Sequence, residues 1–241
     1  MEVSLETHKD MRRSLKRSAA HVVATQGLEN TTTKLIAAES GLAEAYIYRY
    51  YDGKKDLLEQ TFLEIDQQII QVFQRNAEKL FQITHCMQDS CYLLWKAYWN
   101  YLVHDADQTV FHSRFYYSAY YTKQVEEARK RNLTAFQETI LAFDKQYGLA
   151  IPHEDTWLRI IHMMESTLSY AMRVIRCEYE SSEEHVKRIF DTVFPPVMTL
   201  ICPTPLWNQC LRVQGKDDCL KLHEKDIKNG IIQHCPVLDA R

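Results

Sequence analysis

"TTTKLIAAESGLAEAYIYRYYDGKKDLL", residues 31–58, places two short helical segments around a glycine, with four tyrosines in six positions and two lysines close behind. Thr32 and Thr33 supply hydroxyls suited to an N-cap, and the short apolar helix that follows ends near Ser40. Gly41 interrupts. A second short helix is predicted from about Ala43 to Tyr50, and Asp52 stands where it can cap a long helix reaching about Leu80. Two short helices joined by a turn make a helix-turn-helix candidate, in which the first braces the second and the second enters the DNA major groove. On a wheel of about 100° per residue, Ile47 and Tyr51 point one way and Ala45, Tyr46, Arg49 and Tyr50 the other. The tyrosines therefore divide: Tyr51 is expected inward, Tyr46 and Tyr50 outward, and Tyr48 at the margin.

Outward from this stretch, helical periodicity dominates. Residues 11–26 place Leu15, Ala19, Val22 and Val23 at spacings of three and four, and Gly27 follows at a C-cap position. Leu58, Phe62, Ile65, Ile69 and Phe73 line one side of the long helix. Further helices are predicted at about 89–104, 107–118, 122–147, 153–178 and 182–199, with Pro195 and Pro196 expected to end or kink the last. Six glycines and six prolines in 241 residues are too few for an all-β design with many tight turns. The predicted fold class is all-α: an N-terminal three-helix helix-turn-helix domain, joined by the long helix to a second helical domain. The expected boundaries are 9–55, 56–200, and a loosely ordered C-terminal extension at 201–241.

Composition narrows the function classes. Hydrophobic residues at 46% and charged residues at 25% are ordinary for a soluble globular protein. The N-terminus is polar with no apolar signal core, and no run approaches membrane-spanning length, so a cytoplasmic protein without a membrane partner is expected. Seven cysteines without a CxxC pair argue against a disulfide framework. No phosphate loop, GxSxG or HExxH is present, so no catalytic residue, cofactor or metal is expected. Cys219, His223, His234 and Cys235 offer metal-ligand atoms, but their spacing is not that of a zinc site. The net charge of −3 gives no global argument for nucleic acid. Lys9, Arg12, Arg13, Lys16, Arg17 and Lys34 nevertheless oppose only Asp10 and Glu29, a local excess of the sign phosphate contact needs.

The combined spacing resembles the DNA-binding region of the TetR family of transcriptional regulators over residues 13–63. The matching positions are Gly27, Thr32 and Thr33, Ile36 and Ala37, Gly41 and Leu42, Ile47 and Tyr48, Tyr51, Lys54, and Leu57 with Leu58. Ala45 and Tyr46 depart from the small residue and threonine often found there, and Gly53 from the usual serine or asparagine. The resemblance implies that Tyr48 and Lys54 hold backbone phosphates and that Thr33 positions the first motif helix. It makes Lys34, Glu44, Ala45, Tyr46, Arg49 and Tyr50 the groove-facing set. Arg49 can pair bidentately with guanine. Glu44 can accept from a cytosine amino group or simply stabilise a helix N-terminus, and both readings stand.

Eleven aromatic residues fall between Tyr92 and Tyr121. Core packing explains part of this density; an apolar pocket with a few polar anchors explains it too. TetR-like proteins bind a small effector in the corresponding domain, which implies a site built by Trp95, Trp99, Phe115 and Tyr116, with Phe136 and Trp157 facing it. Apolar stripes at Ile161, Met164, Leu168, Ala171 and Ile175, and at Val186, Ile189, Phe190 and Val193, correspond to the four-helix dimer interface of similar proteins. The implied function is a transcriptional repressor, a homodimer on a palindromic double-stranded operator, released by a small-molecule effector. The alternative is a helical adaptor or coactivator of the same fold acting through protein partners.

Overall fold

A computed structural model describes residues 5–83, 87–146 and 153–199. Its helices are α1 Leu5–Gln26, α2 Thr33–Ser40, α3 Ala45–Tyr50, α4 Lys54–Ile83, α5 Met87–His104, α6 Ala106–Tyr116, α7 Lys123–Gln146, α8 His153–Ile175 and α9 Glu183–Thr199. No strand occurs among the described residues, so the all-α expectation holds. The extension at 201–241, with Cys219, His223, His234 and Cys235, lies outside the described residues.

Local chemistry sets the motif's boundaries. The Thr32 hydroxyl accepts from the Leu35 N–H at 3.2 Å, occupying one of the free donors at the start of α2. At the other end Gly41 adopts φ 68°, a left-handed conformation that costs glycine nothing and other residues about 1–2 kcal/mol. Gly41 and Leu42 then donate back to Ala38 and Ala37, each at 3.2 Å, closing a Schellman turn. The cap of α4 differs from expectation. Asp52 does not supply its side chain; instead Asp56 reaches back and accepts from the Asp52 backbone N–H at 2.9 Å. The Gly53 carbonyl accepts the Leu57 N–H at 3.2 Å.

The described residues cluster into two compact units, those up to Ile70 with Tyr101–Leu133, and Gln71–Asn100 with those from Thr134 onward, and the chain passes between the units within α4, α5 and α7. In the first unit, Leu15, Ala19 and Val23 of α1 are buried with Ile36, Ile47, Leu57, Leu58, Phe62, Phe111 and Phe115. Each large apolar side chain sequestered in this way contributes about 1.5–3 kcal/mol relative to exposure. α1 packs chiefly against α6 and α2. In the second unit, Phe73, Trp95, Tyr98, Trp99 and Phe136 are buried, as are Phe190 and Val193 of α9.

Pro195 and Pro196 do not end α9, which runs to Thr199. The carbonyls that lose their helical donors belong to Asp191 and Thr192, both exposed, where water can serve them. Val193, Phe194 and Val197 are buried around the prolines, and Phe190 stacks on Phe194 at 4.6 Å. Tertiary packing outweighs the local preference.

Candidate nucleic-acid interface

α3 offers a narrow exposed face. Ala45, Tyr48 and Arg49 are exposed, Tyr46 and Tyr50 are half-buried, and Ile47 alone is buried. The expected division of the tyrosines holds for Tyr51, which is buried with its hydroxyl donating to the Arg12 carbonyl at 3.4 Å. Burial pushes the Tyr51 phenol above its ordinary value, against the hydrogen bond and charge at Arg12. For Tyr48 and Tyr50 the expectation is corrected. Tyr48 is the most open of the four, at 62% exposure, while Tyr50 turns back toward α1. The Tyr50 hydroxyl meets His8 Nδ1 at 2.5 Å and Met11 Sδ at 3.5 Å. Tyr46 stacks on Tyr50 with centroids 6.4 Å apart, and the Arg49 guanidinium lies 6.0 Å from the Tyr50 ring.

At the other end of α3, Thr33 donates to Glu44 at 2.5 Å, and the Thr33 and Tyr48 hydroxyls lie 3.5 Å apart. Glu44 makes no side-chain cap to α3, so its carboxylate ties α3 to the first turn of α2 instead of serving the helix end. Lys34 is exposed beside this cluster. Lys54 is half-buried; its ammonium donates to the Leu28 carbonyl at 2.8 Å and sits 5.4 Å from the Tyr120 ring. One of its three N–H groups is thereby engaged within the protein, with an aromatic ring nearby.

The basic excess of the N-terminal region is smaller in space than in sequence. Lys16 pairs with Glu64, Arg13 lies 3.7 Å from Asp10, and Arg12 donates to Gln60 at 3.3 Å. Lys9, Arg17, Lys34 and Arg49 are exposed and have no carboxylate partner among the described residues. A cleft of about 440 Å³ on this unit mixes Arg13, Arg17 and His21 with Asp10, Glu39, Asp105 and Asp107.

Residues 17–61 match the model of bacterial regulatory proteins of the tetR family. The fold is shared with a TetR family transcription regulator from Marinobacter aquaeolei, TM-score 0.64 at 21% identity over 79% of this chain and 97% of that one. Residues 17–61 thus carry the DNA-binding segment of the tetR family. The chain is similar to the HTH-type transcriptional regulator BetI of Vibrio campbellii, 27% identical over 107 residues, 38% of this chain and 54% of that protein. The chain thus spans about half the length of that curated relative. It also shares the fold of the transcriptional regulator FadR of Bacillus subtilis, solved in complex with stearoyl-CoA, with a TM-score of 0.59 at 17% identity over 80% of this chain and 98% of that one.

The residues to which the TetR resemblance assigned an effector are not all gathered in one unit. Trp95, Trp99 and Phe136 are fully buried in the second unit, where Trp95 stacks on Trp99 at 5.5 Å and Phe136 lies 4.5 Å from Phe73. Trp95 Nε1 donates to Thr167 at 2.8 Å, and Trp157 is half-buried at the start of α8. Phe115 and Tyr116 belong to the first unit, where Phe115 stacks on Phe62 at 4.7 Å and Tyr116 lies 4.9 Å from the Arg129 guanidinium. The apolar stripes of α8 and α9 are largely consumed within the chain: Met164, Leu168, Ala171, Val186, Ile189, Phe190 and Val193 are buried. Leu158 at 56% exposure, with half-buried Ile161 and Ile175, remains on the surface of α8.

Two polar groupings carry no sequence signal, because each joins helices far apart in the chain. Arg129 Nε donates to fully buried Asp66 at 2.9 Å, and His112 Nε2 lies 3.5 Å from the same oxygen. Burial opposes the Arg129 charge, but the Asp66 carboxylate outweighs it and holds the guanidinium above its ordinary value. His21 Nδ1 lies 2.7 Å from Asp107, and its Nε2 3.9 Å from Glu39. The hydrogen bond to Asp107 raises the imidazole above its ordinary value, against partial desolvation and with help from both carboxylate charges. No helix among the described residues is long and apolar enough to cross a membrane, and none of their His, Cys, Asp and Glu side chains groups in threes as a metal site would need.

Proposed function

We propose that this protein is a DNA-binding transcriptional repressor that holds a palindromic double-stranded operator as a homodimer and releases it on binding a small-molecule effector. The observation that carries the reading is the exposed face of α3, with Arg49 and Ala45 open and Tyr46 beside them, on a helix braced by α2. Arg49 and Tyr46 read base edges, with Ala45 allowing close approach. Tyr48 and Lys34 meet the phosphate backbone, with Lys54 using the N–H groups not given to Leu28. Thr33 and Glu44 set the angle between the two motif helices. Helix-turn-helix dimers place their heads about 34–36 Å apart for successive major grooves, and the surface residues of α8, Leu158 and Ile161 among them, supply the pairing face. The effector is aromatic or amphipathic and enters the second unit near Trp95, Trp99, Phe136 and Trp157. A FadR of the same fold takes stearoyl-CoA, which supports a bulky apolar ligand.

Selection of bound fragments from the host genome tests the central claim. A recurrent palindrome with salt-dependent affinity is expected; no sequence enrichment refutes it and favours an adaptor working through protein partners. Sedimentation giving only monomer at micromolar concentration refutes the dimer. The absence of any tryptophan quenching or thermal shift across a panel of aromatic and amphipathic compounds refutes the effector site.

A further inference from the structure

We infer that His8 is a positioning residue for operator reading: it fixes Tyr50, and the Tyr50 ring carries the base-facing side chains of Tyr46 and Arg49. The inference rests on the DNA-binding function proposed above.

α3 has six residues, no side-chain cap at Glu44 and one buried side chain, Ile47. A helix so short has no stability of its own, so whatever grips its two ends sets its direction. At the first end Thr33 holds Glu44. At the second, Tyr51 is buried behind α3, and Tyr50 reaches His8 in the opening turns of α1, 42 residues earlier in the chain. The His8 and Tyr50 rings meet edge to face, with centroids 5.7 Å apart and planes at 81°. Both residues are half-buried, so water competes for this hydrogen bond less than at an open surface. With the Tyr50 hydroxyl donating to Met11 Sδ, the imidazole Nδ1–H donates to the phenol oxygen, and the group is satisfied on both sides.

The consequences fall on α3 alone. Tyr46 lies nearly parallel to the Tyr50 ring, at 22° and 6.4 Å, and the Arg49 guanidinium is 6.0 Å from the same ring. A free Tyr50 would leave both readers without a fixed support. The phosphate-facing groups have other anchors: Tyr48 beside Thr33, and Lys54 on the Leu28 carbonyl. Loss of His8 therefore degrades sequence preference and leaves general DNA affinity standing. This makes Tyr50 a platform for base readers and not itself a reader.

The test uses the full chain, an operator duplex recovered by genomic selection with the wild type, and a scrambled duplex of equal length, read by fluorescence anisotropy across a salt series. His8→Ala is expected to lower operator discrimination about ten-fold, while scrambled-duplex affinity and the salt slope stay at wild-type values. Tyr50→Phe should match it, and the double variant should be no worse than either single one. His8→Asn, whose amide can still donate to the phenol, should restore most of the discrimination. Unchanged discrimination in His8→Ala, an equal loss on both duplexes, or no rescue by asparagine overturns the inference. If His8→Ala misfolds by far-UV dichroism, Tyr50→Phe keeps the ring and decides alone. A wild type with no sequence preference refutes the DNA-binding function and the inference with it; a selective wild type beside an indifferent His8→Ala refutes the inference only.

Discussion

Replacing Asp66 with alanine should be among the most destabilising single changes in the first compact unit. Asp66 is fully buried on α4, and its partner Arg129 on α7 keeps only 15% of its side chain accessible. Removing one member of such a pair leaves a buried charge uncompensated, at a cost of about 3–5 kcal/mol. Two features of the site lower that figure. The residual exposure of Arg129 lets water reach part of the guanidinium. Asp66 Oδ2 already lacks a hydrogen-bond partner, and deleting it removes a penalty of about 1–3 kcal/mol. A net loss of about 2 kcal/mol follows. Arg129→Met removes the charge but keeps much of the packing on Tyr116, and in the background of Asp66→Ala it should recover stability. The assay is urea denaturation followed by far-UV dichroism at one protein concentration, because self-association makes a midpoint move with concentration. A double-mutant cycle should give a coupling of at least about 1 kcal/mol. A loss under about 1 kcal/mol for Asp66→Ala, or strict additivity in the double variant, would show that the pair is solvated and the reasoning wrong.

Arg49→Ala should weaken specific binding by about 1–3 kcal/mol and relax the sequence preference; an unchanged operator profile would remove Arg49 from the reading set. Lys54→Ala should weaken binding to all sequences alike and lower the salt slope by about one, and a changed preference at constant slope would contradict a phosphate role. The His21 pair gives a pH dependence with a definite sign. Because the folded imidazole is raised above 6.5, its contribution is fully present below that pH and is lost as pH rises through the folded value. The thermal midpoint should therefore fall across the near-neutral range above 6.5 in wild type and change less in Asp107→Asn. Equal profiles for the two proteins would exclude the link.

The first eighty residues show which parts of a fold a sequence carries. The Thr32 cap, the Gly41 turn and the inward positions Ile47 and Tyr51 were legible because each follows from chemistry within a few residues. Periodicity marked the later helices for the same reason. The failures share the opposite cause. A helical wheel assigns a side chain to a face but does not say which faces a neighbouring helix will cover. Tyr50 was placed outward, yet α1 passes beside it with His8 and Met11. The basic run of α1 looked like an open patch, yet Glu64 and Gln60 of α4 meet Lys16 and Arg12. The stripes of α8 and α9 looked available for a partner, yet most of their residues cover one another and α5 within the chain.

That distinction bears on how far a motif match can assign DNA contacts. The matched positions encode the caps, the turn and the buried contacts that build α2 and α3. They do not encode the tilt of α3, because that helix buries only Ile47 and takes its direction from residues outside it. The two grips differ in origin. Thr33 lies within the matched segment, whereas His8 lies before residue 17, where the match begins. Two chains can therefore share every motif position and still aim Arg49 differently if only one carries a hydrogen-bonding side chain opposite Tyr50. Under the proposed function, operator preference is a property of α1 and α3 together, and swapping α3 alone into another helix-turn-helix should transfer its residues without transferring its specificity.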